Sequence, residues 1–150
     1  MVANDAKTSF QILVSKYTQT KSQADFANVM LHAWILVETY VNRLYLKGLG
    51  LSPDTTKPAI YDDLIDALEG ISFERKWQAL VKNKTFNKKE AKAIHEFQQE
   101  RNRLFHASKK NDVMSKLFMR HLQEPLVNKA VAGFLAVWQA AHRAEGIKLG

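Results

Sequence analysis

Arg101, Asn102 and His106 have side chains that can transfer protons and bind phosphate without a metal ion. A histidine suits proton transfer because its pKa lies near neutrality. An arginine stays charged and donates hydrogen bonds in a fork, which suits the non-bridging oxygens of a phosphate. An asparagine can orient either group. The set could therefore promote RNA cleavage, in which the 2′-hydroxyl attacks the neighbouring phosphorus and the 5′-oxygen leaves.

The segment that carries these residues is typical of one long helix. Asn87 predicts an N-cap, and Glu90 three residues later completes a capping-box pair. From position 88 to about position 107 there is no glycine or proline. At about 100° per residue, Arg101 falls in the middle of an apolar arc that should face the core. The other members of the arc are Ile94, Phe97, Leu104 and Phe105.

An arginine on an apolar arc needs a carboxylate, a phosphate or a subunit boundary, because burying an unpaired guanidinium costs several kcal/mol. Glu38 is the predicted partner of Arg101, within a chain or across a dimer. It is the only acid between Asp25 and Asp54 and lies at the margin of the buried face of its own helix. The alternative for Glu38 is an i,i+4 hydrogen bond with Asn42. The alternative for Arg101 is a purely structural ion pair.

The remaining positions of the motif helix predict a polar stripe and a side that faces water. His95, Gln99, Asn102 and His106 form the stripe, and we expect His95 to be a surface or fully hydrogen-bonded residue. The side facing water should hold Glu96, Glu100 and Arg103, and we expect Arg103 to contact RNA. Lys109 and Lys110 follow His106 almost directly and are further candidate phosphate contacts.

The spacing Arg101-Asn102-x-x-x-His106 resembles the signature of the HEPN family, a group of all-helical domains that includes many metal-independent ribonucleases. The family pattern is an Arg, four to six residues and a His, often with a polar residue directly after the Arg. The resemblance implies that His106 is the general acid/base, Arg101 the transition-state stabiliser and Asn102 the orienting residue. It also implies 2′,3′-cyclic phosphate and 5′-hydroxyl ends.

The same resemblance implies a homodimer whose active site lies between two motif helices. It often accompanies a toxin or defence role, with an antitoxin or another regulatory partner. A toxin subgroup carries a Tyr two residues after the His, which the antitoxin modifies. This chain has Ser108 there, so regulation by tyrosine modification at that site is unsupported.

Composition favours one domain over residues 1–150, because 150 residues can bury a real core. The chain has no cysteine, which excludes disulfides, thiolate metal sites and thiol nucleophiles and fits a cytoplasmic location. No apolar run reaches the roughly 18 residues that a membrane span needs, so we expect no membrane partner. We expect no cofactor and no metal.

The net charge of +7 is concentrated around the motif. Residues 75–120 contain 13 Lys and Arg against 4 Asp and Glu, whereas the rest of the chain contains 9 against 11. Basic surface of this kind attracts polyanions, nucleic acid above all. RNA is therefore the predicted partner, with simple solubility as the alternative.

Apolar periodicity and capping signals predict an all-α bundle of about five to six helices, which is HEPN-like. Pro125 should break or kink the last of them. The predicted helices span residues 5–20, 22–47, 59–69, 72–83, 88–107 and 112–144. Two other functions remain open for such a chain. One is a non-catalytic module that binds a nucleotide, RNA or a partner protein, and the other is an interaction subunit in which Arg101 is only structural.

Overall fold

The computed structural model describes residues 2–107 and 120–145. This part of the chain consists of helices and their connections and has no strand, which confirms the all-α prediction. Six helices are described, in agreement with a bundle of five to six. They are α1 (Val2–Thr20), α2 (Gln23–Gly48), α3 (Pro58–Leu68), α4 (Phe73–Lys82), α5 (Lys88–Ala107) and α6 (Arg120–Ala144).

The starts of α2 and α4 are set by local side-chain hydrogen bonds. The Ser22 hydroxyl accepts a hydrogen bond from the backbone N–H of Asp25 at 3.1 Å, and Ser72 caps α4 in the same way. A side-chain cap satisfies a backbone N–H that has no partner within the first turn. At the other end of the chain, α6 continues through Pro125 without ending there. The predicted start of that helix at Asp112 lies outside the described residues.

Helix α2 is the centre of the fold, because it contacts each of the other five described helices. Its buried face includes Val29, Ala33, Val37 and Val41, which are all completely shielded from solvent. Tilted ring contacts extend the core to both sides of this helix. Tyr40 lies 6.5 Å from Phe134 on α6, measured between ring centroids. Because α2 lies at the centre, residues of α5 can contact residues of α2, which belongs to the first third of the chain.

Helices α5 and α6 pack closely at Gly133. A Cβ atom at this position would lie 2.9 Å from Cβ of Phe97, which is closer than such atoms approach each other in proteins. Small residues on α6 allow this approach. Ala130, Ala136, Ala140 and Ala141 are buried beside Gly133, whereas Ala132 is exposed.

We expect Gly133→Ala to have a steric cost of about 1–3 kcal/mol and a net destabilisation of up to about 2 kcal/mol, because the new methyl group must displace the Phe97 side chain in a packed interface. The better helix propensity of alanine offsets about 1 kcal/mol of the steric cost. Urea unfolding monitored by circular dichroism measures the difference. Gly48→Ala is the matched control, since a Cβ there meets only the end of the Asn83 side chain at 3.5 Å. Equal or higher stability of Gly133→Ala would show that the α5–α6 contact is looser than described.

Candidate functional site

The helix that carries the motif is fixed at its first turn by the predicted capping box. The Asn87 side chain accepts from the backbone N–H of Glu90 at 2.8 Å, and Glu90 accepts from the backbone N–H of Asn87 at 3.0 Å. The buried Glu90 carboxylate also accepts two hydrogen bonds from Arg143 on α6, at 2.6 and 2.9 Å. These bonds raise the pKa of Arg143. The first turn of α5 is therefore tied to the last turn of α6.

Arg101 is half-buried and lies against an aromatic ring. Its Cζ atom is 4.6 Å from the centroid of the Trp34 indole, and its Nη1 atom donates to Oδ1 of Asn102 at 3.3 Å. A guanidinium over an indole gains about 0.5–2 kcal/mol from the ring quadrupole. The indole is positioned by Phe73 at 4.9 Å and Phe97 at 5.9 Å, measured between ring centroids. The guanidinium is thus held by residues of α2 and α5.

Trp34 is the residue of this site that the sequence did not single out. Periodicity correctly places it on the buried face of α2, but nothing local indicates that Arg101 would lie over it. The available signal was indirect. An arginine on an apolar arc needs a favourable environment. The face of a tryptophan ring can supply one, just as a carboxylate can.

Asn102 is brought together with Arg101, whereas His106 is placed only through its backbone. The half-buried Asn102 side chain accepts from Arg101, which fits an orienting role. His106 belongs to the last turn of α5. On an ideal helix it lies roughly 7.5 Å further along the axis than Arg101 and about 140° around it. Its side chain, and Lys109 and Lys110 entirely, lie outside the described residues.

The position of Glu100 contradicts one prediction from the helical wheel. We expected it to face water, but it is only 5% exposed. Its carboxylate accepts from Nζ of Lys129 on α6 at 2.9 Å and from Nη1 of Arg103 at 3.3 Å. The wheel failed because it describes one helix and cannot show that α6 covers this side of α5. Arg103 itself is exposed as predicted, with 63% of its side-chain surface open to solvent.

Glu38 is half-buried on α2, about one turn after Trp34. Its carboxylate attracts the ammonium group of Lys76 on α4. The pairing of Glu38 with Arg101 stays a prediction. The alternative partner, Asn42, accepts a hydrogen bond from Nζ of Lys76 at 2.6 Å.

Lys76 is a buried charge that the sequence analysis missed. It is 2% exposed, and its Nζ atom donates to Asn42 and to the backbone carbonyl of Leu68 at 3.3 Å. Burial lowers the pKa of Lys76, although Glu38 and Glu69 attract its charge and oppose the shift. A usable signal existed, because position 76 lies on the same inward arc of α4 as Phe73 and Leu80.

We expect Lys76 to make folding stability increase with pH on the alkaline side. Its pKa is lower in the folded than in the unfolded chain, so between those two values the unfolded chain binds more protons. Raising the pH towards about 10.4 therefore favours the folded state. The check is the free energy of unfolding of the parent minus that of Lys76→Met at several pH values from neutral upward. A difference that stays constant or falls with pH would contradict this expectation.

The environment of His95 contradicts a second prediction. The His95 ring stacks on Trp77 with centroids 5.0 Å apart and an interplanar angle of 25°. Its Nδ1 atom is buried and has no hydrogen-bond partner among the described residues, so His95 is not the fully hydrogen-bonded residue that we expected. Three more buried atoms have no hydrogen-bond partner in the part of the chain that the structure describes: Nε1 of Trp77, Nε1 of Trp34 and Oε1 of Gln98. These four atoms belong to side chains of α2, α4 and α5.

The acids along α3 and at its C-cap face solvent: Asp62, Asp63, Asp66 and Glu69 are all exposed. Within residues 2–107 and 120–145, no group of three or more His, Asp or Glu side chains is arranged to hold a metal ion. None of the helices in that part of the chain is long and apolar enough to cross a membrane.

Comparisons of the chain with family models, curated proteins and solved structures found no match in any of the three.

Proposed function

We propose that this protein is a metal-independent endoribonuclease of HEPN type. The observation that carries the proposal is the placement of Arg101, whose guanidinium lies over Trp34 and is hydrogen-bonded to Asn102. An arginine fixed in this way before substrate arrives loses little freedom when it binds a phosphate, and preorganised charge is what stabilises a transition state. His106 follows on the same helix.

In the proposed reaction, the 2′-oxygen of a ribose forms a bond to the adjacent phosphorus and the bond from phosphorus to the 5′-oxygen breaks. One proton leaves the 2′-hydroxyl and one reaches the departing 5′-oxygen. His106 transfers protons, Arg101 stabilises charge on the non-bridging oxygens, and Asn102 orients Arg101. The products are a 2′,3′-cyclic phosphate and a 5′-hydroxyl.

The proposed active form is a homodimer through α5. One copy offers Arg101 and His106 about 140° apart on the helix, so they do not converge on one phosphate by themselves. Two copies related by a two-fold axis could surround it from both sides. Glu38 supports this arrangement by pairing with Arg101, within the chain or from the other copy, and Arg103, Lys109 and Lys110 hold RNA. We place the activity in the cytoplasm, in a toxin or defence system with an antitoxin or other regulatory partner.

The test is cleavage of mixed cellular RNA in EDTA by the purified parent and by His106→Ala. We expect cleavage by the parent alone, with 5′-hydroxyl ends that polynucleotide kinase can label without prior phosphatase treatment. His32→Ala is the matched control, because His32 is an exposed histidine on α2. Equal cleavage by the parent and His106→Ala, or none by a folded parent, would reject the proposal.

One observation favours a second candidate, a non-catalytic binding or interaction module. Trp34 and Asn102 already give Arg101 partners inside the chain, which is also what a structural arginine needs. In that case folded parent protein would not cut RNA, and Arg101→Ala would lower stability without any change in a nuclease assay.

A further inference from the structure

We propose that the exposed face of α5, with the adjoining end of α4, is a binding track for single-stranded RNA. In this track Lys88 and Lys92 hold phosphates, and a base stacks on His95 beside Trp77. The inference rests on the proposed function, because it extends the substrate away from the motif. It also specifies the substrate as a single strand of several nucleotides.

The track is defined by helix geometry. At about 100° per residue, Lys88, Lys92, Gln99 and Arg103 fall within an arc of about 60°, and the position of His106 lies on the same arc. Lys88 and position 106 are separated by roughly 27 Å along the axis. A strand that follows this face would therefore pass from the lysines to the position of His106 without crossing the bundle, and Arg101 lies about 140° around the helix from that position.

The face is basic because the acids of α5 are mostly used inside the fold. Glu90 is buried against Arg143, and Glu100 is buried against Lys129. Glu96 alone stays near the surface, at 4.0 Å from Lys92. The lysines, by contrast, are all exposed at the α4–α5 corner: Lys82, Lys84, Lys88, Lys89 and Lys92. The capping box already occupies the backbone at the start of α5, so these side chains provide the positive charge.

The middle of the track holds an aromatic pair. His95 is half-buried on the same side of α5, with its ring stacked on the half-buried Trp77. Proteins that bind single strands combine a positive groove with rings on which unpaired bases stack. A duplex keeps its bases stacked inside and cannot use such a ring.

A membrane surface fits this face less well than a nucleic acid does. Binding in the headgroup region needs exposed apolar side chains beside the basic ones. In the described part of the chain, the large exposed apolar residues lie on α1, α2, α3 and the α2–α3 connection. They are Ile12, Leu31, Ile35, Leu49 and Ile60.

The first experiment measures binding of fluorescein-labelled 2′-O-methyl oligouridine, which cannot be cleaved because its 2′-oxygen is blocked. We expect an oligomer of about 12 nucleotides to bind much more tightly than a dinucleotide, with an affinity that falls as salt increases. Lys88→Ser/Lys92→Ser should reduce the salt slope by about 1.4, from about 0.7 per phosphate contact on single strands. The matched control is Lys16→Ser/Lys57→Ser, which removes the same charge from exposed positions elsewhere.

The second experiment tests stacking. We expect His95→Ala to weaken binding about 5- to 150-fold, which is the range for loss of one stacked base. His95→Phe keeps a ring and should bind about as tightly as the parent, so it separates stacking from a folding defect. A duplex of the same length should bind more weakly than the single strand.

Three results would overturn the track: equal effects of the two lysine double variants, equal affinity for duplex and single strand, or equal binding to vesicles of anionic phospholipid. Failure of the proposed function looks different, because the parent would then bind the single strand through these residues and not cut RNA. Conversely, cleavage that depends on His106 but not on Lys88, Lys92 or His95 would retain the nuclease and reject the track.

Discussion

Arg101→Ala is expected to lower the rate of RNA cleavage by about 10²–10³-fold, which is typical for loss of one preorganised donor to a developing oxyanion. The reason is that the Trp34 ring and the Asn102 side chain hold this guanidinium in place before substrate binds. The loss should appear in kcat more than in KM, since the interaction strengthens as charge develops in the transition state. Single-turnover cleavage of a defined RNA in EDTA measures it.

Two variants isolate the cause of that loss. Arg101→Lys keeps the charge but lacks the planar fork, so we expect it to recover only part of the rate. Arg103→Ala removes an exposed arginine two residues away whose described partner is Glu100, and it should reduce binding more than kcat. The Arg101→Ala protein should stay folded, because the cation–π contact of Arg101 with Trp34 contributes only about 0.5–2 kcal/mol. A kcat for Arg101→Ala equal to that of Arg103→Ala would contradict the role that we propose for Arg101.

Glu90→Ala is expected to cost about 2–4 kcal/mol of folding stability, which is the largest effect on stability of any substitution that we predict. The substitution removes the half of the capping box in which the Glu90 carboxylate accepts from the backbone N–H of Asn87, which contributes about 0.5–1.5 kcal/mol. It also removes the carboxylate that binds Arg143 in a two-bonded pair. Breaking a fully buried pair costs about 3–5 kcal/mol, and the figure here is lower because the Arg143 side chain is half exposed.

Urea unfolding of three variants separates these two contributions. Glu90→Gln retains the capping geometry but not the charge, so it should lose about 1–2 kcal/mol. Asn87→Ala removes only the cap and should lose about 1 kcal/mol. Glu96→Gln is the control, since its ion pair with Lys92 spans 4.0 Å at the surface and should change stability by less than about 0.5 kcal/mol. Glu90→Ala no more destabilised than Glu96→Gln would show that α5 and α6 are not joined at this point.

Most of the helices could be predicted from the sequence because helix signals are local. Ser22, Ser72 and Asn87 mark helix starts through side chains that reach three residues along the chain. Apolar spacing correctly places Ile94 and Phe97 in the core, and both are completely shielded from solvent. The same local reasoning puts Arg101 on an inward arc, which the half-buried side chain confirms.

The environment of Arg101 was decided by tertiary structure, because its contact with Trp34 joins residues 67 positions apart. A helical wheel describes one helix and the water around it, so it cannot tell which neighbouring helix replaces that water. For this reason it placed Glu100 in solvent, whereas Lys129 of α6 draws the carboxylate into the fold. Lys76 is buried for a similar reason, since Asn42 of α2 and the end of α3 supply its hydrogen bonds.

The sequence by itself determined the helix class, the starts of α2 to α5 to within one residue, the basic character of residues 75–120 and the position of the Arg101-Asn102-x-x-x-His106 motif on one long helix. These features depend on residue type and on contacts three or four residues apart. Only the tertiary structure decided that Arg101 rests on an indole, that two of the three acids of α5 are neutralised inside the bundle, and that His95 stacks on Trp77. Those pairings depend on how the helices pack, and packing is fixed by the whole core at once.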